Sequence, residues 1–417
     1  MKEQPVTLSE MLSDKQLSRY LLSSALAFIA GNMINFSIIF YSQQVLNSTS
    51  LSGIGYFLVF GPPVLFGWYA GILCDRSSPL KVVVGFQCLA IAIVATMLTF
   101  HTLESDATTL RIVITACAFF IGVCWSFLGP GRFSSVSKIV EQRIAVKATS
   151  AMSSFVLIAF GIAPVIVTTL SAYLSWESVF SLIIGLLCIS LLLLKNIKFN
   201  APQSSYSGKK SWIRDITASI KYVGASCPTL HMLLFTVITY TCMGVLNIYL
   251  PALAANKLGL DGLNLGIFLG LLSVGLIIGS TLSFRLIGRI SADFTIPALI
   301  TVSVVSLLAS VHQSYYVVLV ALVLIISICN GFVMNLIIAT IQQLTEESYR
   351  GRVISIYTIL TQISPATGAI VAGFIIDYHN IEMLKWFIIL LFALGLVLYY
   401  AIKSKPAIVK DQTTAIK

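Results

Sequence analysis

Twelve long apolar stretches, separated by short polar gaps, constrain this chain more than any other feature of its sequence. A helix needs about 20 mostly apolar residues to cross the hydrocarbon core of a bilayer. Twelve such helices with their turns use nearly all of the 417 residues. The sequence therefore predicts an all-α integral membrane protein with transmembrane helices at about 19–43, 51–73, 80–100, 109–130, 148–171, 174–194, 229–253, 263–284, 293–311, 315–341, 353–377 and 382–402.

The positive charges divide unequally between the two sides of the membrane that these spans define. The two termini and the even-numbered gaps hold 23 of the 26 Lys and Arg residues, and the odd-numbered gaps hold only Arg111, Lys257 and Lys385. Lys and Arg near the ends of spans stay on the cytoplasmic side. We therefore predict that both termini are cytoplasmic. The division also supports the number of spans, because one missed helix would reverse the side of every later gap.

Composition excludes several classes of protein. The chain is 57% hydrophobic and 10% charged, whereas soluble domains carry about 25% charged residues. No length remains for a soluble catalytic domain, and no cluster of His, Asp or Glu lies at one membrane face, so we do not expect an enzyme. The net charge of +10 is spread over short loops. Such a distribution is typical of the cytoplasmic loops of membrane proteins, whereas nucleic-acid binding needs a continuous basic surface. Four histidines without metal-ligand spacing predict no metal and no cofactor.

One long polar connection, residues 195–228, separates the first six spans from the last six. The sequence predicts an amino-terminal six-helix bundle (1–194), a cytoplasmic linker (195–228), and a carboxy-terminal six-helix bundle with its tail (229–417). Within the linker, residues 211–223 have the pattern of a short amphipathic helix. We expect this helix to lie on the inner leaflet, and a fully solvated linker helix is the alternative.

The two halves carry small and basic residues at matching places, about 208 residues apart. Several matches at one offset indicate a duplicated six-helix unit. Internal repeats are typical of secondary transporters, whose substrate site lies between the repeats near the middle of the membrane. The matching pairs are Gly67 and Gly275, Gly71 and Gly279, Lys81 and Arg289, Gly122 and Gly331, and Arg143 and Arg352.

The segment from Gly67 to Lys81 carries a recognisable motif. Gly71, Leu73, Asp75 and Arg76 match the GxLxDRxxxRK pattern, whose basic pair is here reduced to Lys81. The segment resembles motif A of the major facilitator superfamily. The resemblance implies that the Asp75 carboxylate binds the amino end of span 11 and closes the cytoplasmic side. A solvated loop that only sets topology is the alternative. The gating residues predicted in this way are Gly67, Gly71, Asp75, Arg76, Lys81, Arg350 and Arg352.

Three further segments resemble the drug- and siderophore-exporting branch of that superfamily, which includes enterobactin exporters and macrolide efflux proteins. They are residues 342–353 with their Arg-Gly-Arg sequence, residues 213–228 of the linker, and the Gly-Pro-Gly-Arg sequence at 129–132. Gly161 and Pro164 are similar to an antiporter motif, or mark a simple kink. The branch implies export by alternating access across a bacterial inner membrane, by a monomer.

The coupling ion is not apparent in the sequence. None of the 16 acidic residues falls in the middle third of a span, although proton-coupled carriers usually place a carboxylate there. Asp377 and His231 are the candidates, and interfacial residues without a coupling role are the alternative. Protons are therefore a coupling ion implied by the resemblance alone.

Uncharged polar side chains are the candidates for substrate binding. The resemblance implies a central cavity that spans 1, 4, 7 and 10 line and that spans 2, 5, 8 and 11 flank. An amide in hydrocarbon without a partner costs several kcal/mol, so these groups must face one another, a cavity or water. Helix-to-helix hydrogen bonding is the alternative. The substrate-binding candidates are Asn32, Asn35, Tyr41, Trp125, Tyr240, Asn247, Asn330, Asn335 and Gln362, with Tyr249 and Tyr357 beside them.

These features predict a secondary transporter that exports a medium-sized organic compound, either drug-like or a siderophore. A neutral cavity suits an uncharged or zwitterionic substrate, whereas a small anion would need a buried Arg. The alternative is a uniporter or importer of a nutrient or ferric siderophore with the same fold. The expected partners are a small-molecule substrate and the lipid bilayer, with protons as a candidate.

Overall fold

The structure is a computed structural model that describes residues 14–76, 78–140, 142–195, 197, 223–224, 226–287, 289–313 and 315–403. Every regular element in these ranges is helical. Twelve of the helices are long and apolar enough to cross a membrane. The predicted fold class, an all-α membrane protein with 12 transmembrane helices, is confirmed.

We number the helices by span. Their bounds are α1 Lys15–Gln44, α2 in two segments Thr49–Phe60 and Pro62–Arg76, α3 Pro79–Thr102, α4 Ala107–Ile139, α5 Gln142–Tyr173, α6 Trp176–Leu194, α7 Cys227–Leu258, α8 Gly262–Leu286, α9 Ala292–His312, α10 Tyr316–Leu344, α11 Glu347–Tyr378 and α12 Leu384–Lys403, the last preceded by a 3₁₀ turn at Ile381–Met383.

Short polar side chains cap the amino ends of several of these helices. The Asp14 carboxylate accepts hydrogen bonds from the first backbone N–H groups of α1, and Asp106 does the same for α4. The Ser175 hydroxyl accepts from the backbone N–H of Ser178 at the start of α6. These caps satisfy donors that the first helical turn leaves without partners.

The second span is a helix in two segments. The chain leaves the helical pattern at Gly61, which is followed by Pro62 and Pro63. Proline has no N–H to donate and disfavours helical geometry in the residue before it. The Gly61 N–H still donates to the Phe57 carbonyl at 2.7 Å. The predicted span 51–73 is thus interrupted near its middle.

The fourth helix is longer than the sequence predicted. Its apolar stretch ends near Pro130, but α4 continues to Ile139. Gly131 permits the close approach of α3, because a Cβ there would lie 2.8 Å from Val83 Cγ2. The assignment of Arg132 to a cytoplasmic loop is therefore wrong: Arg132 lies inside α4 and is 1% exposed.

The two most enclosed spans are α1 and α7. Of the most apolar 18 residues in each, 72% are buried in α1 and 83% in α7, against 17% in the last span. A helix that is apolar on all sides and buried on all sides belongs to the interior of a helix bundle. The predicted lining of a central cavity by spans 1, 4, 7 and 10 stays a prediction.

Packing divides the chain into two units, Met1–Ser205 with Ile248–Ser273, and Tyr206–Asn247 with Val274–Lys417. In the first unit, α1 packs against α5 and α6, and α4 packs against α2 and α3. In the second unit, α9 packs against α10. The division into bundles at 1–194 and 229–417 stays a prediction, and residues 211–222 of the expected amphipathic helix lie outside the described residues.

One pair of the predicted repeat makes the same contact in both units. A Cβ on Gly122 of α4 would overlap the Leu58 carbonyl oxygen of α2. A Cβ on Gly331 of α10 would likewise overlap the Leu276 carbonyl oxygen of α8. Glycine permits this close approach of two helix backbones. Gly67 differs from its counterpart, since no atom lies within 4 Å of a Cβ built there.

Candidate functional site

The two asparagines of α1 have different environments. Asn32 donates from Nδ2 to the Phe28 carbonyl of its own helix at 2.9 Å. Asn35, one turn further along, is 4% exposed, and no donor in the described part of the chain reaches its Oδ1. An amide oxygen can only accept, so Asn35 offers a buried acceptor in the most enclosed helix of the first unit.

The hydroxyl of Tyr41, also on α1, is hydrogen-bonded to another helix. Its oxygen lies 2.9 Å from Nδ1 of His101 on α3. Its ring meets Trp176 and Phe180 of α6 at centroid distances of 5.0 and 5.9 Å. Tyr41 therefore belongs to an aromatic cluster at the end of α1, and its predicted contact with substrate is not apparent from this placement.

Trp125 of α4 packs against α1. A Cβ on Gly31 would overlap the Trp125 ring, so glycine at this position lets the indole lie on the backbone of α1. The ring also borders a small cavity inside the first unit, together with Ala27 and Ile34.

Met243 of α7 brings two of the predicted asparagines together. Asn247 donates from Nδ2 to the Met243 carbonyl at 2.8 Å, and Asn330 of α10 donates to the Met243 sulfur at 3.4 Å. Ser303 of α9 donates to Oδ1 of Asn330 at 3.5 Å. No donor in the described ranges reaches Oδ1 of Asn247, which is 3% exposed. The second unit thus also holds a buried acceptor.

Two tyrosines form the other predicted polar pair in the second unit. The hydroxyl oxygens of Tyr240 on α7 and Tyr357 on α11 lie 3.2 Å apart. The two helices cross closely beside them, since a Cβ on Gly244 would overlap the Pro365 carbonyl. Gln362 of α11 is half-buried.

Asn335 and Tyr249 lie among packed helices. Asn335 donates from Nδ2 to the Ser280 carbonyl of α8 at 3.4 Å. Tyr249 is fully buried in α7. For Asn335, the structure favours the helix-packing interpretation.

The predicted latch lies only partly within the described residues. Gly67 and Gly71 are in the second segment of α2, and Lys81 and Arg350 are exposed. The side chains of Asp75, Arg76 and Arg352 lie outside the part of the chain that the structure describes. The latch therefore stays a prediction.

Of the antiporter-like motif, Gly161 and Pro164 both lie inside α5. A Cβ on Gly161 would lie 2.7 Å from the Cβ of Ser273, and one on Gly266 would lie 3.2 Å from the Pro164 carbonyl. Thr168 donates to that carbonyl at 2.7 Å. The motif forms a close packing surface for the first part of α8.

The two predicted coupling residues, Asp377 and His231, both lie near the end of a helix and not in its middle. Asp377 is exposed near the end of α11. His231 places Nε2 3.2 Å from the Tyr399 carbonyl.

A pair of ionisable side chains was not predicted from the sequence: Nε2 of His101 lies 3.5 Å from Oε1 of Glu177. The weak signal was that both residues lie at span ends on the same predicted side.

A buried cation was also missed. Arg132 reaches across the first unit from α4 and donates to side chains on α1, α3 and α6. The sequence signal was its position in the Gly-Pro-Gly-Arg segment, only two residues after the apolar stretch. In the described residues, no group of three or more His, Cys, Asp and Glu side chains is placed to hold a metal.

A larger cavity of about 290 Å³ lies in the first unit. Its polar lining consists of the carboxamides of Gln43, Gln44, Asn47 and Asn256 with the Thr49 hydroxyl. Phe40 and Pro251 contribute apolar surface. Its volume is near the lower end of the range for small-molecule sites, and its lining carries no ionisable side chain.

Comparison with solved structures gives the same fold. A bacterial homologue of the human lysosomal transporter Spinster, inward-facing and occupied, superposes with a TM-score of 0.69 at 14% identity over 93% of this chain and 96% of that one. The nucleoside transporter NupG gives 0.71 at 13% identity over 94% and 99%. A bacterial homologue of the iron transporter ferroportin in an inward-facing state gives 0.69 at 16% identity over 94% and 100%.

No curated protein sequence matches the chain. The family model described as Major Facilitator Superfamily matches residues 20–292 and 232–415. Together these matches span almost the whole length, and the structural neighbours are transporters of that fold. The chain is therefore a multi-pass membrane transporter that belongs to the Major Facilitator Superfamily.

Proposed function

We propose that this transporter exports a medium-sized, uncharged or zwitterionic organic compound, drug-like or a siderophore, across a bacterial inner membrane by alternating access. The observation that carries the proposed substrate chemistry is the pair of buried amide oxygens on the two most enclosed helices. Asn35 Oδ1 on α1 and Asn247 Oδ1 on α7 each lack a donor among the described residues.

Amide oxygens without a donor are informative because an amide oxygen cannot act as a donor in place of accepting a hydrogen bond. A buried hydroxyl can rotate toward another acceptor, whereas an amide oxygen only accepts. A buried acceptor left without a donor costs about 1–3 kcal/mol. A substrate with hydroxyl or N–H groups would recover this free energy on binding. The proposed substrate therefore carries hydrogen-bond donors of the kind that these two oxygens can accept.

The remaining proposed contacts are also neutral. Tyr240 and Tyr357 offer two phenol groups, and Asn330 shares Met243 with Asn247. Met243 adds a polarisable sulfur, which suits irregular apolar surfaces.

From the sequence we expected no buried Arg, and Arg132 corrects that expectation. Its guanidinium donates to neutral side chains of α1, α3 and α6 and is not among the proposed substrate contacts. The proposed contacts themselves are neutral and favour an amphipathic organic molecule over a small multivalent anion.

The direction of transport rests on the resemblance of residues 342–353 and 129–132 to exporters. A uniporter or importer of the same fold is the second candidate. It is favoured by the absence of Asp and Glu from the middle third of every predicted span. Under either proposal the protein is a monomer with both termini cytoplasmic, and the Asp75 loop closes the cytoplasmic side.

The test begins with a ligand-induced thermal-shift screen of the purified protein with siderophores and macrolides side by side. Transport of the hits is then measured in inverted membrane vesicles with and without a proton gradient. Accumulation that depends on the gradient supports proton-coupled export. Uptake into whole cells that is insensitive to a protonophore would overturn export and support the uniporter.

A further inference from the structure

The interior of the first unit holds a full positive charge. Arg132 is 1% exposed. One guanidinium nitrogen donates to the hydroxyls of Ser23 and Ser24 at 3.3 and 3.2 Å. The other donates to the Gln87 side-chain oxygen and to the Ser190 hydroxyl, the latter at 3.0 Å.

All of these acceptors are neutral. The phenol of Tyr20 adds one more polar contact, but it donates to the backbone carbonyl of Arg132 at 2.6 Å and brings no charge. Among the described side chains, no carboxylate forms a salt bridge with Arg132. The guanidinium is thus hydrogen-bonded, yet its charge has no counter-charge in the described part of the chain.

Hydrogen bonds alone do not offset the burial of an ion. Removing a charge from water is costly, and this cost is offset well only when the charge is both hydrogen-bonded and paired with an opposite charge. The negative end of the α4 dipole gives little help, because its effect falls off within the last turn. Arg132 lies about two turns before the end of α4 at Ile139. A negative charge beside Arg132 would therefore stabilise this arrangement strongly.

A small cavity lies next to this charge. Arg132 and Gln87 form its polar wall, and Ala27, Gly31 and Trp125 are among its other lining residues. The space is large enough to admit at least one group of the size of a water molecule. A halide ion is only slightly larger than water, so its size suits this space.

We propose that this cavity binds a single small monovalent anion of the chloride type, with Arg132 as its counter-charge. The apolar part of the wall suits an ion that loses its hydration easily, and the cationic wall determines the sign of its charge. Bound there, the anion would neutralise the guanidinium and stabilise the joint between α1, α3, α4 and α6. The proposal concerns the first unit alone and does not depend on the substrate or direction of transport.

Thermal unfolding of the purified full-length protein tests the site. Sodium chloride is titrated against sodium gluconate at constant ionic strength, without substrate. We expect chloride to raise the melting temperature saturably, by on the order of a few degrees. In Arg132→Gln the chloride dependence should disappear. The matched control Arg285→Gln removes one exposed charge on α8 and should keep it.

Two further measurements keep the proposal falsifiable if Arg132→Gln does not fold. Radiolabelled chloride should bind to the wild-type protein with one ion per chain, and bromide should displace it. Arg132→Lys retains the charge and should bind chloride more weakly. Wild-type stability that does not depend on chloride, equal dependence in Arg132→Gln and Arg285→Gln, or stabilisation by acetate and not by chloride would each overturn the proposal.

Discussion

The Tyr41 hydroxyl lies 2.9 Å from Nδ1 of His101, and Nε2 of the same imidazole lies 3.5 Å from the Glu177 carboxylate. Three residues from α1, α3 and α6 thus form a chain of titratable groups at one end of the first unit. Trp176 and Phe180 pack around Tyr41. Other ionisable groups near this end have their own contacts: Asp106 caps α4, and Arg111 donates to the Leu46 carbonyl at 3.4 Å.

The contact between His101 and Glu177 predicts that the two side chains contribute to stability together. Because Glu177 is 45% exposed, this contribution should be small. Glu177→Gln should lower the melting temperature slightly, and the same substitution in a His101→Gln background should have no further effect. Glu104→Gln, a nearby exposed carboxylate, serves as the control, and equal losses in both backgrounds would contradict the expectation.

The cap of α4 predicts a stability that depends on pH. The hydroxyl of Thr109 donates to Asp106 at 2.6 Å, and this bond, with the backbone N–H bonds of Thr109 and Thr108, lowers the pKa of Asp106. A lowered pKa means that the cap stabilises the folded state above the ordinary pKa of Asp and loses this effect as pH falls through the lowered value. The protection factors of the amides in the first turn of α4, corrected for the intrinsic exchange rate at each pH, should therefore fall at low pH. Asp106→Ala should show this reduced protection already at neutral pH, whereas Asp106→Asn should largely retain the cap.

The close crossings at Gly122 and Gly331 predict equivalent sensitivity in the two units. An added methyl group overlaps a backbone carbonyl at each position, so the helices must move apart. We expect Gly122→Ala and Gly331→Ala each to lose about 1–3 kcal/mol of stability. Gly85→Ala provides the control, because no atom lies within 4 Å of a Cβ there. A melting temperature unchanged in both variants would show that neither crossing constrains the backbone.

Substrate affinity should depend on the two buried amides. If Asn35 and Asn247 each accept a hydrogen bond from the substrate, replacing either with Ala should weaken binding about 5- to 150-fold, the equivalent of 1–3 kcal/mol. Thr96→Ala is the control, since the Thr96 hydroxyl bonds only to Ala92 of its own helix. Binding of the hit compounds would be measured by calorimetry. Unchanged affinity in both Asn variants would assign these side chains to helix packing.

The latch predicts an effect on rate and not on folding. Asp75→Asn removes the charge that the motif resemblance places against span 11, so turnover in vesicles should slow about tenfold, whereas the melting temperature should stay close to that of the wild type. Asp75→Glu should restore part of the rate. Transport by Asp75→Asn at the normal rate would show that the latch assignment is wrong.

The sequence by itself determined the properties that depend on local composition. The number of spans follows from apolar length, because a bilayer has a fixed thickness. Helix starts also depend on local hydrogen bonds, since Asp14, Asp106 and Ser175 cap their own first turns. The apolar stretches alone placed the starts of these spans at about 19, 109 and 174. The family resemblance also depends on short contiguous segments. The described residues contain 12 helices of this length and apolarity, and the family comparison identifies the superfamily.

Only the tertiary structure decided which polar groups share a partner. Asn330 meets Met243 across 87 positions of the chain, and Tyr41 meets His101 across 60. Arg132 was misplaced because the end of an apolar stretch does not reveal how far its helix continues. The buried acceptors that receive its hydrogen bonds lie on α1, α3 and α6. Burial and pairing are properties of several helices packed together, and no single segment of the sequence encodes them.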